Sequence, residues 1–600
     1  MANGYLTFSC DKSFKLTVSR YAEYDGSLEY STDAVSWIEV TKGTAISSVD
    51  NKIYVRGTGN TYCRSTASTP TAVLSLGYSN IKCEGNIETL LDYNTVLNNQ
   101  HPTMASRCFY SLFAGNRGLI QAPELPATVL STECYYCMFR DCTSLTEAPV
   151  LPATTLANSC YIRMFQNCTS LTTAPALPAT TLKSLCYAYM FQDCSHLTAA
   201  PELPATKLIN DCYYCMFDRC TRLTTAPKLS ATRLAEGCYE SMFSGCSSLT
   251  QPPTLPATTL AEYCYDSMFE GCTSLTTAPV LPATKLANYC YTSMFSGCRK
   301  LTTAPALPAT TLANSCYCYM FQNCTSLTQA PVLPATTLTY DYCYSYMFSG
   351  CSSLTQPPTL PATTLTNGCY SYMFRNCTSL TTAPALPATT LAQYCYREMF
   401  RGCTNLTTAP ELSATALANY CCYKMFADCY NLIQAPALPA TTLANSCYSH
   451  MFDNCTRLTQ TPELPATTLA TYCYEYMFAG CASLTQAPTL PAATLANYCY
   501  RYMFYNCRRI RLSETQTDDY TTEYHIPTSE TGETVTGAFN DMFASTGGTF
   551  QGTPNINTTY YMNTNILKIH TLQVNGKPLN MVNGKKVKNF TYKNITYWVD

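Results

Sequence analysis

The sequence predicts an α/β repeat solenoid with one short helix and short strands in each 26-residue unit, flanked by small β modules. Three observations predict it. A Met-Phe dipeptide recurs at a fixed interval, and the same apolar positions surround it each time. The segment between successive Met-Phe dipeptides contains prolines. A unit of this size cannot bury a hydrophobic face alone, so neighbouring units must stack.

The Met-Phe dipeptide defines the repeat. It recurs every 26 residues between Met138 and Met503, with one extra residue inserted near Tyr340. A degenerate first copy at 112–113 gives sixteen units between 108 and 507. Stacked at the spacing of parallel strands, sixteen units would extend about 77 Å.

Each unit begins C-Y-x-x-M-F-x-x-C, as at Cys160 to Cys168. On a helix turning about 100° per residue, these constant positions fill an arc of about 140°. This pattern is typical of an amphipathic helix with its apolar stripe toward a core. The second half, L-T-x-A-P-x-L-P, contains two prolines, which cannot donate to a sheet. We therefore expect strands of about three or four residues there.

The position between Thr and Ala in L-T-x-A is nearly uniform. It is Thr or Gln in most units, as at Thr173, Gln251 and Gln329. In a parallel sheet such a column would repeat every ~4.8 Å. Its uniformity suits a structural role better than recognition of an irregular ligand.

The stretch that joins the two halves of the unit is also specific. Phe165, Cys168, Ser170, Leu171 and Pro178 spell an aromatic residue, a short gap, C-x-S-L-T and a proline that ends a strand. This pattern resembles the BspA-like leucine-rich repeats of bacterial surface proteins, over about two thirds of the chain. The sequence departs from it by an Ala-Pro inside the expected strand. The resemblance implies a leucine-rich-repeat-like solenoid, adhesion to surfaces or ligands, and no catalytic residues.

The flanks differ from the repeats. Residues 1–95 alternate apolar and polar positions between turn clusters, which predicts an N-terminal β module acting as a cap or attachment domain. Residues 96–507 form the predicted solenoid. Residues 508–600 should form a C-terminal cap and β-hairpin tail, because Asn575-Gly576 and Asn583-Gly584 are strong hairpin signals.

Cysteine is abundant, with 38 residues in the chain, of which 31 occupy the two repeat positions. Within a unit the two lie eight residues apart, about 12 Å along a helix, too far for a disulfide. Buried small apolar thiols are therefore favoured over bridges between units. A metal site is less favoured still, since Cys134–Cys137 and Cys212–Cys215 have no partner pair at zinc-finger spacing.

Catalytic signals are scarce, which predicts that the protein is not an enzyme. The chain contains five His in different segments and no phosphate-binding loop, dinucleotide fingerprint or G-x-S-x-G motif. His196 and His450 occupy variable repeat positions, where solvated side chains are expected more often than general bases. We expect no catalytic residues, no cofactor and no metal.

The net charge of −2 argues against nucleic acid or anionic lipid as the main partner, because both require a basic surface. No signal peptide and no apolar run long enough to span a membrane are visible. The expected location is a bacteriophage virion or an extracellular bacterial cell surface. The missing signal favours the virion.

Tyrosine is concentrated at three positions on the predicted outer face. It fills about a third of them, against 48 of 600 residues overall. Tyr gives rigid amphipathic contact at low entropic cost, so this face is a candidate for ligand binding. Shielding of the helices by rings that stack on their neighbours is an equal alternative. The candidate ligand-binding residues are Tyr319, Tyr342, Tyr346, Tyr372, Tyr472, Tyr476, Tyr498 and Tyr502.

In three units the tyrosines are doubled four residues apart, which would place two rings side by side on a helix. Tyr342 pairs in this way with Tyr346, and the other pairs are Tyr472 with Tyr476 and Tyr498 with Tyr502. A flat apolar surface edged by hydroxyls suits sugar rings or a protein partner.

Two functions follow. The first is a non-enzymatic adhesion or receptor-binding solenoid that recognises a host-surface glycan or protein. The alternative is a structural virion or surface-fibre component whose repeats set length and self-assembly. Both allow docking to other virion or surface proteins through the flanking β modules, and a homo-oligomer. An enzyme hidden in a flank is a third, weaker hypothesis.

Overall fold

The computed structural model describes residues 4–77, 80–528 and 535–564, together with the backbone pairing of six short strands between 573 and 598. An N-terminal module of antiparallel strands leads into stacked coils, one for each 26-residue unit. The strands of the module are β1 (Leu6–Ser9), β2 (Lys15–Val18), β3 (Ala22–Tyr24), β4 (Ser27–Ser31), β5 (Ile38–Glu39), β6 (Ala45–Ser47), β7 (Lys52–Thr58), β8 (Cys63–Ser65), β9 (Leu74–Ser75) and β10 (Ile81–Glu84).

Alternation of apolar and polar residues builds this module. In β7, Ile53 and Val55 are buried while the residues between them are not, as expected for a strand with one face on a core. β1 lies between β7 and β10 and pairs antiparallel with both. Helix α1 (Thr89–Leu97) then packs against β7. It lies so close that a Cβ on Gly57 would overlap the carbonyl oxygen of Leu90.

The module joins the first coil through hydrogen bonds. β10 pairs in parallel with β11 (Leu119–Gln121). Asn116, which replaces the second cysteine of the first coil, accepts from the Leu76 amide at 2.8 Å and donates to the Leu74 carbonyl at 2.6 Å. A side-chain amide donates and accepts strongly, whereas a thiol does both only weakly. Asn116 therefore suits a position that faces the N-terminal module instead of another coil.

The helix predicted for each coil is wrong. Backbone φ is positive at every fourth residue of the segment, for example +59° at Ser159, +54° at Arg163 and +59° at Asn167, which an α-helix does not allow. The segment is a run of overlapping β-turns. Each turn is closed by an i to i+3 hydrogen bond, such as Met164 N–H to the Tyr161 carbonyl at 3.2 Å. We call this part of each coil the turn ribbon, exemplified by residues 159–168.

Successive turn ribbons are joined like strands of a parallel sheet. The residues that do not donate within a turn donate to the next coil, as Phe165 N–H does to the Met190 carbonyl at 3.0 Å. Alternate amides thus bond within the coil and between coils. The backbone polar groups of the ribbon are satisfied without either a helix or a strand.

The buried set matches the prediction although the helix does not. Cys160, Tyr161, Met164, Phe165 and Cys168 are all buried, as are their equivalents in the other coils apart from the substituted positions. Identical rings stack along the solenoid, with centroids 5.6 Å apart between Phe165 and Phe191, within the usual range for offset aromatic pairs. The core is therefore a set of parallel columns, each made of one residue type.

The proline-containing half of each coil has even less strand than expected. Neighbouring coils meet there through isolated parallel bridges, such as Thr303 with Gln329 and Gln329 with Gln356. This confirms the parallel stacking of the Thr/Gln column. β11 is three residues long, and several of the following coils contribute only a single bridge at this column, because the adjoining prolines have no amide hydrogen.

Beyond Cys507 the chain leaves the repeat and returns to it. Tyr500 donates to the Ala538 carbonyl at 2.8 Å, and Phe504 donates to that of Met542 at 2.9 Å, so residues 536–546 form a seventeenth turn ribbon. The intervening and following strands are β12 (Leu512–Ser513), β13 (Thr522–His525) and β14 (Thr559–Met562), in the order β12-β14-β13.

Three antiparallel strand pairs follow near the C-terminus, and two of them flank Asn575-Gly576 and Asn583-Gly584. Their strands are β15 (Gln573–Val574), β16 (Lys577–Pro578), β17 (Met581–Val582), β18 (Lys585–Lys586), β19 (Asn589–Tyr592) and β20 (Ile595–Trp598). Among the residues that the structure describes, no helix has the length and apolar character needed to cross a bilayer.

Candidate functional site

The candidate tyrosines lie on the outer side of the turn ribbon, in two columns. One column precedes the first cysteine of each coil and contains Tyr342, Tyr472 and Tyr498; the other follows it by three residues. Both columns have left-handed backbone, with φ of +57° at Tyr346. Tyr342 is 42% exposed and the other seven candidates are half-buried.

The second column forms a continuous stack over three coils. The ring centroids of Tyr319 and Tyr346 are 4.6 Å apart, and those of Tyr346 and Tyr372 are 4.1 Å apart with the planes within 8°. Burial, together with the nearby Glu398 carboxylate, raises the pKa of Tyr372. The rings therefore support one another across coils, as the shielding alternative expected, and still present part of their surface to solvent.

The side-by-side pairing predicted within a coil is wrong. Among the described residues, Tyr342 and Tyr346 make no ring contact with each other. The ring of Tyr342 instead lies over Gly368 of the next coil, where an added Cβ would overlap it. The repeat superimposes equivalent positions of neighbouring coils, so a ring meets its own column rather than the residue four positions away.

A second tyrosine cluster lies near the C-terminal end of the solenoid. Tyr472 stacks on Tyr498 at 5.0 Å, and Tyr476 stacks on Tyr502 at 4.6 Å. Tyr505, which is exposed, meets the Tyr502 ring edge-on at 5.8 Å. We call these five residues the C-terminal tyrosine patch. The structure thus brings four of the predicted site residues together on two adjacent coils.

Charged and aromatic side chains complete this patch. The guanidinium of Arg501 lies 5.3 Å from the ring centroids of both Tyr498 and Tyr502, and its Nε is 3.3 Å from Glu475. The His450 ring stacks on Tyr476 at 4.6 Å, and its Nδ1 is 2.9 Å from Asp453. The expectation of a solvated His450 is therefore wrong, since it extends the aromatic column.

Sequence reasoning missed Tyr505, His450 and Arg501 because it ranked tyrosine columns alone. It also missed a signal for the turn ribbon. The residue before the second cysteine has positive φ in all sixteen coils, and it is Gly, Asn or Asp in all but one, where it is Arg219. These residue types tolerate left-handed backbone best, so the column predicts a turn rather than a helix.

The cysteines are unpaired throughout, and all except Cys10 are buried. The second cysteine of each coil has a specific contact: the Cys168 thiol donates to the Phe139 carbonyl of the preceding coil at 3.1 Å. The same bond recurs from Cys142 to Cys507. Burial raises the pKa of Cys507 to about 12, and those of the other thiols in this column also rise. The described residues contain no group of three or more His, Cys, Asp or Glu arranged to hold a metal ion.

A cavity of about 290 Å³ lies where the N-terminal module meets the first coils. Its polar lining includes the buried Glu88 carboxylate, which is 2.8 Å from Nδ1 of His101. Burial raises the pKa of Glu88, and the hydrogen bond from His101 opposes that shift. This contact is local to the junction and lies far along the chain from the C-terminal tyrosine patch.

Comparison with known proteins agrees with the coil geometry. The profile of the BspA type leucine rich repeat region, a model of six repeat copies, matches the chain in five overlapping stretches. The matched stretches are 111–250, 188–328, 285–407, 314–459 and 369–511. No curated protein and no solved structure matches the chain significantly.

The matched residues cover about two thirds of the chain and coincide with the stacked coils. The chain therefore belongs to the BspA type leucine-rich repeat family.

Proposed function

We propose that the protein is a non-enzymatic adhesion or receptor-binding solenoid, and that the C-terminal tyrosine patch carries its ligand site. The observation that carries the proposal is the pair of parallel ring stacks in two adjacent coils, Tyr472 on Tyr498 and Tyr476 on Tyr502. Membership in this repeat family is consistent with a role in surface adhesion, which supports the proposed binding function.

The chemistry of the patch suits a sugar or a protein surface. Rigid tyrosine rings lose little conformational freedom on binding and offer both apolar area and a hydroxyl. Arg501 lies between two of the rings and adds a cation that can bind a carboxylate or an acidic sugar. The proposed partner is a host-surface glycan or protein, and the proposed location is a phage virion or a bacterial surface.

Stacking against neighbouring coils favours a second candidate, a structural virion or surface-fibre component. In that function the tyrosine columns shield the turn ribbon, and the flanking β modules dock to other virion or surface proteins. Removal of the patch would then leave attachment unchanged.

The test replaces Tyr472, Tyr476, Tyr498 and Tyr502 by Ser in the full chain. Binding is measured on an array of neutral and acidic oligosaccharides and on fixed whole cells. We expect attachment at least tenfold weaker than wild type, because each aromatic anchor contributes about 2 kcal/mol at an interface. Thermal unfolding checks that the core columns remain intact.

A matched control replaces Tyr263 and Tyr289 by Ser. These rings also stack across neighbouring coils, at 4.8 Å, but lie outside the patch, so this variant should bind like wild type. Unchanged attachment by a folded quadruple variant would favour the structural function. An equal loss of attachment in both variants would show that attachment depends on stacked tyrosines in general and not on the C-terminal tyrosine patch.

A further inference from the structure

The charges on the outer side of the turn ribbon are distributed unevenly along the solenoid. Numbering the coils from the first at Cys108, coils 5 to 7 are acidic and coils 11 to 13 are basic. The acidic coils present Asp211, Glu240, Glu262, Asp266 and Glu270, with Asp218 buried beside them. Arg219 in this region is already paired with Asp193 at 2.6 Å and with Asp218 at 3.4 Å.

These carboxylates repel one another. Burial and the charges of Asp266 and Asp211 raise the pKa of Glu240 to about 7. Burial raises the pKa of Asp266 to about 6, and Glu270 adds to that shift. Approach of a cationic surface would relieve this repulsion.

The basic coils hold guanidinium groups in excess of their partners. Glu398, whose side chain is 7% exposed, is shared by three arginines, at 2.9 Å from Arg401, 3.7 Å from Arg375 and 3.9 Å from Arg397. The Nε atoms of Arg375 and Arg397 are buried without a hydrogen-bond partner. Arg401 also pairs with Asp428 at 3.2 Å, so two carboxylates face Arg375, Arg397, Arg401 and Lys424, and this region has donors left for an anionic surface.

The coils between these two regions are nearly neutral. Coils 8 to 10 present mostly Ser, Thr, Asn, Gln and Tyr on the outer side, with Asp341 as a charge. Tyr319 of coil 9 begins the stack that continues through Tyr346. An aromatic centre flanked by charged regions is the composition of many protein interfaces.

We propose that the turn-ribbon face binds a second copy of the chain in antiparallel orientation, about a twofold axis at coil 9. The acidic centre at coil 6 and the basic centre at coil 12 are each three coils from coil 9. A twofold axis there places the acidic region of each copy against the basic region of the other. Parallel alignment would oppose like charges instead.

In this arrangement the acidic, aromatic and basic regions of the face each contact the partner copy. Glu240 and Asp266 meet Arg375 and Arg397 at both ends of the interface, and Tyr319 meets the partner near the axis. The contact is isologous and closed, so it yields a dimer rather than a fibre. Coils 15 and 16, with the C-terminal tyrosine patch, lie beyond the paired charges.

The test is a charge exchange in the full chain, read by sedimentation. The first variant carries Glu240→Lys, Asp266→Lys and Glu270→Lys. The second carries Arg375→Glu, Arg397→Glu and Lys424→Glu, with Glu398→Gln to avoid a buried cluster of like charge. Wild type should sediment as a dimer at low salt. Each variant alone should be monomeric, and an equal mixture of the two should form a dimer again.

Orientation is tested separately in an otherwise wild-type chain. Ser315→Cys places an accessible thiol in coil 9, near the proposed axis, while Ser159→Cys places one in coil 3. The native thiols of the repeats are buried. Cys10, the one half-buried native thiol, is common to both chains, so a difference between them reports the new cysteines. We expect an oxidative cross-link between two copies of the Ser315→Cys chain and little between copies of the Ser159→Cys chain.

Salt gives a further readout, since about 1 M salt shortens the screening length to roughly 3 Å and should shift wild type toward monomer. A wild-type chain that remains monomeric at low salt overturns the proposal. Retention of such a monomer on dextran sulfate would show that coils 11 to 13 bind a polyanion instead of a second copy. Equal cross-linking at Ser315→Cys and Ser159→Cys also overturns it. So does a mixture of folded charge variants that stays monomeric.

Discussion

The thiol of Cys272 donates a hydrogen bond to the carbonyl oxygen of Phe243, 3.1 Å away in the preceding coil. The same carbonyl accepts the Cys246 amide at 3.1 Å, which closes the last turn of its own ribbon. The Phe243 carbonyl oxygen thus accepts one hydrogen bond within its own turn ribbon and one from the next coil, using both lone pairs. This relationship explains why the second repeat cysteine is more than a small apolar filler.

Replacing Cys272 by Ala should therefore destabilise the protein by about 1 to 2 kcal/mol, through the lost sulfur volume and the lost bond. Cys264→Ala is the matched control, because Cys264 is equally buried and belongs to the first cysteine column. Urea unfolding of both variants measures the difference. Equal destabilisation would show that packing alone retains the second cysteine.

The thiols should be reduced and slow to react in the native protein. Burial raises the pKa of the repeat cysteines, to about 12 for Cys403, and the thiolate is the reactive form. Titration in denaturant, with and without reductant, should find nearly all 38 thiols free in both cases. Fewer than half free without reductant would contradict the unpaired arrangement.

Stability should belong to neighbouring coils, because each coil bonds and packs on the next. Deleting one unit, residues 264–289, should leave a folded chain with one coil fewer. Phe269→Ala should cost about 3 to 5 kcal/mol, since it opens a gap in a continuous column of buried rings. Circular dichroism and urea titration measure both, and a deletion that unfolds the whole chain would contradict the coil-by-coil account.

Glu240 should make stability fall as pH rises. Its pKa is raised to about 7 in the folded chain, from an ordinary value of 4.5, so the folded state binds the proton more tightly. The penalty is absent below about pH 4.5, grows through pH 7 and is complete above it. Glu240→Gln should then stabilise the protein by about 1 kcal/mol at pH 8, after allowance for solvent screening, and by little at pH 4.

Thermal unfolding at the two pH values gives the comparison. Glu463, an exposed carboxylate on the proline-containing half of a coil, provides the control. Glu463→Gln should leave the stability unchanged at both pH values. An equal effect of Glu240→Gln at pH 4 and pH 8 would argue against repulsion among the carboxylates of coils 5 to 7.

The sequence predicted the buried columns correctly and the backbone incorrectly, for one reason. Over nine residues, an inward period of four gives almost the same buried positions as a helical period of 3.6, so Cys160, Met164 and Cys168 face the core in both. What separates the two is the left-handed residue at every fourth position. Asn167 carried that signal, but Ser159 and Arg163 did not.

The tyrosine face shows the same limit. Its outward position followed from the repeat, but the partner of each ring depended on how coils superimpose. Tyr498 meets Tyr472 of one neighbour and lies over Gly537 of the other, 39 residues later in the chain. No local spacing predicts that last contact, because the chain between them leaves the solenoid and returns.

The direction of the bonds between turn ribbons has a mechanical consequence. These N–H to carbonyl bonds run along the long axis of the solenoid, so the rows between coils lie in series under a pull on its two ends and separate one coil at a time. A coil that opens releases 26 residues, which extend by about 85 Å. The solenoid would therefore lengthen in steps under tension and dissipate part of the applied work at each step.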